Sequence, residues 1–183
     1  LGCTSAAAGL AIQTLWVGPW LKDVAHLDRN EVAAQLTVLA FFLMLGFIAV
    51  GVIADVLYKK WNIAPRTVML VLVNAFILVQ ISILFEPVSY SYLVWILFGL
   101  SSNASVLVFA LLSQHFPSSQ TARAITAFNV FVFSVAFAMQ FLVGAIIDLY
   151  PLTTTGGYQP EAFAMAFGVI AAAQIIAMLW YMA

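Results

Sequence analysis

The sequence predicts an all-α integral membrane protein with six transmembrane helices. Hydrophobic residues make up 65% of the 183-residue chain and charged residues only 7%, whereas a soluble domain has about 45–50% and about 25%. The few charges are clustered, so six segments long enough to cross a hydrocarbon core of about 30 Å keep any charge at their ends. The predicted spans cover about residues 1–21, 31–54, 66–86, 90–114, 121–148 and 161–183.

Span 1 carries a polar residue beside two aromatic ones. Gln13 lies near its middle, and Trp16 and Trp20 follow three and seven residues later on the same helical face. Pro19 lacks a backbone N–H and is expected to disturb the turn around Leu15. Because a polar group beside aromatic rings at a weakened turn suits a small-molecule site, Gln13, Trp16 and Trp20 are substrate-cavity candidates. The alternative for Trp20 is an anchor at the membrane interface.

Spans 2 and 3 carry mainly structural signals. Asp28 and Glu31 have the spacing of a capping box at the start of span 2. Residues 38–54 are apolar on every face, which favours a helix over the alternating strands of a membrane barrel. Asn74 and Gln80 in span 3, like Gln174 in span 6, are interpreted as interhelical hydrogen bonds.

Spans 4 and 5 add neutral polar candidates. Asn103 lies close to the predicted midplane, where its amide must either bond a neighbouring helix or face a wet cavity; both alternatives stay open. In span 5, Asn129 and Phe133 lie one turn apart on one face and are further cavity candidates. Pro117 separates spans 4 and 5, and the loop "TTTGGYQPE" (153–161) separates spans 5 and 6.

Loop charges predict the orientation, because cytoplasmic loops are enriched in lysine and arginine. Four of the six basic residues fall in the second and fourth loops: Lys59, Lys60, Arg66 and Arg123. The first loop holds the other two, Lys22 and Arg29. We therefore expect both chain ends to be cytoplasmic, in a cytoplasmic (inner) membrane.

Several classes of function are disfavoured. The net charge of −1 does not suggest nucleic-acid binding, and the single cysteine, Cys3, excludes an internal disulfide and a cysteine metal cluster. "GLSSN" (99–103) has the serines of a membrane protease, but Ser101 and Ser102 lie about 20 Å along the helix from His115. We expect no enzyme, no metal and no cofactor.

Residues 51–60, "GVIADVLYKK", resemble the loop signature G-x-x-x-D-[RK]-x-G-[RK]-[RK] of the major facilitator superfamily. Gly51, Asp55, Lys59 and Lys60 match it. The family places this signature between the second and third helices of each six-helix half, and here it also stands between the second and third spans.

Departures from the signature resemble the C-terminal half of the family, where it is weaker. Val56 replaces a basic residue and Tyr58 replaces a glycine. "IQTLWVGPWLKDV" (12–24) looks like a seventh helix, and "HFPSSQTARAITAFNVF" (115–131) is similar to the connection between tenth and eleventh helices. The resemblance implies a major-facilitator-like half, helices 7 to 12 of a twelve-helix secondary transporter.

The resemblance also implies roles for the signature residues. Asp55 would accept hydrogen bonds from a helix N-terminus or pair with a base such as Arg123, and Lys59 and Lys60 would help hold a cytoplasmic gate closed. The alternative is that Lys59 and Lys60 only mark orientation.

The expected function is alternating-access transport of a small solute. The 183 residues are taken as a single six-helix domain, and because the chain begins and ends inside spans, we expect a longer polypeptide. The expected partners are the lipid bilayer, a small-molecule substrate and an N-terminal six-helix half. Since every charged residue lies at a helix end or in a loop, proton coupling through a buried acid would need that other half. The alternatives are a non-transporting binding or sensing module and a self-contained six-helix homodimer.

Overall fold

The computed structural model describes residues 1–85 and 88–183, and these residues contain helices and loops but no strand. The α-helices are α1 (Gly2–Ala11), α2 (Val17–Asp23), α3 (Arg29–Trp61), α4 (Pro65–Ile83), α5 (Ser91–Ser101), α6 (Val106–His115), α7 (Ser118–Ile147) and α8 (Pro160–Met182). A π-helical segment, Ile12–Trp16, joins α1 to α2. Short 3-10 segments, Val88–Tyr90 and Ser102–Ser105, precede α5 and join α5 to α6.

Within residues 1–85 and 88–183, five helical stretches are long and apolar enough to cross a membrane: α3, α4, Val88–His115, α7 and α8. The all-α membrane class is therefore confirmed. Predicted span 1 is not among the five, because its helix is interrupted by the π-helical segment and carries polar and small residues. The predicted end of span 3 at residue 86 lies outside the described residues, and α4 ends at Ile83.

The π-helical segment has a local cause in the sequence. Pro19 cannot donate to the carbonyl of Leu15, and its ring would collide with that carbonyl in a regular α-helix. The wider turn places the N–H of Val17 on the carbonyl of Ile12, five residues earlier. The predicted disturbance around Leu15 is thus confirmed.

The start of α3 follows the predicted capping box. The side chain of Asp28 accepts from the N–H of Asn30 and Glu31, both at 2.8 Å, and the side chain of Glu31 accepts from the N–H of Asp28 at 2.9 Å. These bonds satisfy donors that have no partner within the helix, so they fix where α3 begins.

The N-terminal region α1–π–α2 lies at the centre of the fold. Small residues of α1, with Ala7 and Ala8 fully buried, let α7, α8 and the 3-10 segment at Ser102 approach closely. Large side chains then fill the core around α2, where Trp20 is buried against Trp95. This region is covered by protein more completely than the longer helices around it.

Helices α3 and α5 cross at very short distance. A Cβ on Gly99 would meet the backbone of Leu39, Phe42 and Leu43 at 3.0–3.2 Å, and one on Gly46 would meet the Asn103 amide nitrogen at 2.7 Å. Both contacts are tighter than ordinary Cβ contacts, so glycine at these positions favours this close crossing.

Two of the three predicted interhelical amides were placed correctly. Gln174 donates to the side-chain oxygen of Gln80 at 2.8 Å, and both residues are fully buried between α4 and α8. The prediction for Asn74 was wrong, because its side chain donates to the carbonyl of Leu70 in the same helix at 2.8 Å. An amide that finds a partner one turn earlier needs no neighbouring helix.

Candidate functional site

A cleft of about 210 Å³ opens where the π-helical segment meets α3, α6, α7 and the 3-10 segment. Its wall combines polar and aromatic side chains with small ones, and none of the charged residues that the structure describes lines it. The lining residues are Ala6, Gly9, Leu10, Gln13, Leu43, Phe47, Ser102, Asn103, Ser105, Phe109, Phe128, Asn129, Val132 and Phe133.

The cleft brings together four of the six residues predicted for a substrate cavity. Gln13 comes from the π-helical segment, Asn103 from the 3-10 segment, and Asn129 and Phe133 from α7. These residues are distant in sequence, so their convergence is a property of the fold. Two of the contributing segments depart from regular α-helix, a feature often found at functional sites.

Gln13 brings an unused acceptor to this region. Its side-chain oxygen Oε1 is buried and has no hydrogen-bond partner. A buried acceptor without a partner costs about 1–3 kcal/mol. A bound molecule that donates a hydrogen bond to Gln13 would remove that cost.

Asn103 both ties helices together and lines the cleft. Its Nδ2 donates to the carbonyl of Gly99 at 2.8 Å and to the carbonyl of Leu43 in α3 at 3.2 Å. These two bonds hold the amide in one orientation, and Asn103 is also one of the residues that line the cleft. The interhelical alternative is therefore found, and the wet-cavity alternative stays a prediction.

Aromatic rings form much of the remaining wall. Phe109 and Phe128 pack edge to face with centroids 5.6 Å apart, joining α6 to α7 beside the cleft. Phe47 and Phe133 are more than half exposed. Sequence reasoning missed Phe47, Phe109 and Phe128, because nothing distinguishes them among the 15 phenylalanines of the chain.

A narrow groove next to the cleft is lined by Thr14 and Gln140. Gln140 donates from Nε2 to the hydroxyl of Thr14 at 2.8 Å, and that hydroxyl donates to the carbonyl of Leu10 at 2.6 Å. The chain of bonds links α7 to the π-helical segment and to the end of α1.

Trp16 and Trp20 lie outside the cleft. Trp16 packs against Phe163 of α8 with centroids 6.5 Å apart, and its indole nitrogen is buried without a partner. Trp20 packs edge to face on Trp95 at 5.4 Å. The helical face that they were expected to share with Gln13 is altered by the π-helical turn, because it shifts the register between residues 13 and 16.

The signature residues lie at one end of the bundle, here called the basic end, which carries residues 55–66 and 115–123. Asp55 bonds Lys59 at 2.6 Å, one turn along the same helix, and the expected pairing with Arg123 is not found among the described residues. Lys60 and Arg123 are exposed. A Cβ on Gly51 would meet nothing within 4 Å, so no close approach in this conformation requires a glycine there.

The opposite end, here called the acidic end, carries residues 23–31 and 148–160. There the side chain of Asp23 is only 9% exposed. Its Oδ2 accepts from the backbone N–H of Tyr158 at 3.1 Å, and its Oδ1 lies 3.9 Å from Nζ of Lys22. Thr153 closes the turn before Tyr158 by bonding the N–H and carbonyl of Gly157. Sequence reasoning missed this tether, since Asp23 has no capping or motif partner nearby.

Comparison with protein-family models, curated proteins and solved structures finds no match to this chain.

Proposed function

We propose that this chain is one half of a secondary transporter related to the major facilitator superfamily, and that the cleft is its share of the substrate site. The observation that carries the proposal is the convergence of Gln13, Asn103 and Asn129 on one uncharged cleft among membrane-capable helices. In such transporters two halves rock around a site near the midplane, which each half lines in part.

The proposal treats α1–π–α2 as a sixth span. Residues 2–23 at about 1.5 Å rise per residue would extend roughly 33 Å, enough to cross the hydrocarbon core. Because only Thr14, Leu15 and Lys22 are exposed among residues 2–23, this region needs less apolar surface than a helix facing lipid. Interrupted helices are tolerated at membrane depth where protein or a cavity covers them.

The composition of the cleft favours a neutral or amphipathic substrate. Its amides and hydroxyls can exchange hydrogen bonds, and its phenylalanine rings can pack against apolar or ring-shaped groups. A substrate charge would have to be balanced by the other half or by water. In this proposal the basic end faces the cytoplasm, and Asp55 with Lys59 and Lys60 contributes to a gate there.

The test uses the purified full-length protein in proteoliposomes. Counterflow would be measured with a panel of radiolabelled neutral hexoses, polyols, nucleosides and amino acids. We expect saturable counterflow of at least one solute, and about a threefold to tenfold loss of apparent affinity in Asn129→Leu, because one hydrogen bond is removed. Asn74→Leu is the matched control, since Asn74 lies on α4 outside the cleft and bonds only its own helix.

A second candidate, a binding or sensing module without transport, is favoured by the absence of charged residues inside the spans. It predicts that a panel solute binds with the same dependence on Asn129 while counterflow stays at the level of protein-free liposomes. If Asn129→Leu and Asn74→Leu changed solute counterflow equally, the assignment of the cleft as the substrate site would be contradicted.

A further inference from the structure

A second site candidate lies at the basic end, away from the cleft. A groove of about 410 Å³ runs between the start of α4 and the ends of α6 and α8. Its polar lining residues, here called the rim, are Arg66, Gln114 and His115, and its apolar lining residues, here called the wall, are Val108, Leu111, Leu112 and Tyr181. None of the described acidic residues lines it.

Arg66 is positioned by a ring instead of a carboxylate. Its guanidinium carbon lies 4.9 Å from the centroid of the Tyr181 ring, and Arg66 forms no salt bridge among the described residues. A cation–π contact leaves the charge of the guanidinium intact and leaves its N–H donors for another acceptor. The Arg66 guanidinium therefore keeps donors with which it can bind an anion, and its planar geometry suits a phosphate group.

The apolar wall restricts what that anion can be. Val108, Leu111 and Leu112 are half-buried on α6, a continuation of the membrane-capable stretch Val88–His115. A groove that begins beside a cation and continues along apolar side chains matches a phosphate headgroup joined to an acyl chain. A small soluble anion would use only the rim.

The excess of basic residues at the basic end also favours an anionic ligand. In the sequence, residues 55–66 and 115–123 of the basic end hold four basic residues and one acidic residue, whereas residues 23–31 and 148–160 of the acidic end hold one basic and four acidic ones. Basic pockets between membrane helices near an anionic leaflet are suited to acidic lipid headgroups. The single acid of this end, Asp55, is already bonded to Lys59.

We propose that this groove binds one anionic phospholipid. Arg66 bonds the phosphate while Gln114 and His115 donate further hydrogen bonds, and an acyl chain lies along Leu111 and Leu112. The site is independent of the solute cleft, and it does not require transport.

The test measures thermal unfolding of the full-length protein in detergent with added phosphatidylglycerol or phosphatidylcholine. We expect phosphatidylglycerol to raise the Tm more than phosphatidylcholine does, and Arg66→Gln to weaken its apparent affinity about tenfold. Arg123→Gln is the matched control, because Arg123 lies at the same end but does not line the groove. Native mass spectrometry of the same samples counts retained phosphatidylglycerol if Arg66→Gln alters the baseline stability.

Three results would overturn the proposal. They are equal effects of the two lipids, equal losses in Arg66→Gln and Arg123→Gln, and a Tm shift with inorganic phosphate as large as that with phosphatidylglycerol. The last result would assign the rim to a soluble anion.

Discussion

Asp23 at the acidic end and Asp55 at the basic end each lie near the end of a helix, but they are used differently. Asp23 is 9% exposed and bonds the backbone of Tyr158, which ties α2 to the loop between α7 and α8. Asp55 is 59% exposed and bonds Lys59 of its own helix, whose side chain is 71% exposed. Asp23 joins two parts of the fold, whereas Asp55 bonds only its own helix among the residues that the structure describes.

The same difference runs along α3. Towards the acidic end, Gln35 donates to Ser91 at 2.9 Å, and the backbone of Leu43 lies directly against Gly99. Towards the basic end, large apolar side chains such as Ile48, Val52 and Trp61 are more than half exposed. Side-chain bonds between elements are therefore found towards the acidic end of α3, whereas large apolar side chains are exposed towards the basic end. A gate at the basic end would have to find its partner on that surface.

The largest loss of stability is expected from a substitution where α3 and α5 cross, in the part of α3 that is bonded to other elements. We expect Gly99→Ala to destabilise the protein by about 1–3 kcal/mol, because the new Cβ would meet backbone atoms that cannot rotate away. The measurement is chemical or thermal unfolding in detergent. Gly168→Ala on α8 is the control, since its nearest contact would be a leucine methyl at 3.8 Å. Equal losses in both variants would show that the crossing is not tight.

A smaller effect is expected at the tether of the acidic end. Asp23→Asn keeps an acceptor for the N–H of Tyr158 but removes the charge, so we expect a loss of about 1 kcal/mol. Limited proteolysis should also cut the 153–157 turn faster in this variant. If both the cleavage rate and the unfolding midpoint stayed unchanged, Asp23 would not tie α2 to the loop, and the contrast with Asp55 would be wrong.

The smallest effect on stability is expected for Asp55→Asn. Exposed pairs one helical turn apart contribute about 0.3–0.5 kcal/mol, so the unfolding midpoint should barely move. If the proposed gate operates, solute counterflow should slow while solute binding stays unchanged. A destabilisation as large as that of Asp23→Asn would show that Asp55 has a partner in another element.

Features governed by local chemistry were predicted correctly from the sequence. Charges at span ends located five of the six predicted apolar helices, Pro19 located the weakened turn, and Asp28 with Glu31 located the start of α3. The turn and the helix start depend on residues at most a few positions apart, and the spans depend on an unbroken apolar run.

Features governed by packing between helices were not predicted correctly from the sequence. In a membrane protein, surfaces facing lipid and surfaces facing protein are both apolar, so hydrophobicity does not reveal which phenylalanines line a cleft. The face shared by Gln13 and Trp16 was inferred from regular α-helical geometry, which the π-helical turn changes. Asn74 was assigned to a neighbouring helix because the sequence does not show which face of α4 is outermost.

Alternating access at the cleft is tested most directly by labelling one position from both sides of a membrane. Cys3 is the single cysteine, so Cys3→Ala removes the background thiol. Ser105→Cys then places a thiol in the cleft wall, and Thr154→Cys and Ser118→Cys report reagent access at the acidic and basic ends. With a membrane-impermeant thiol reagent, each end control should react from one side only. We expect Ser105→Cys to react from both sides, whereas reaction from a single side in the presence of every panel solute would contradict alternating access.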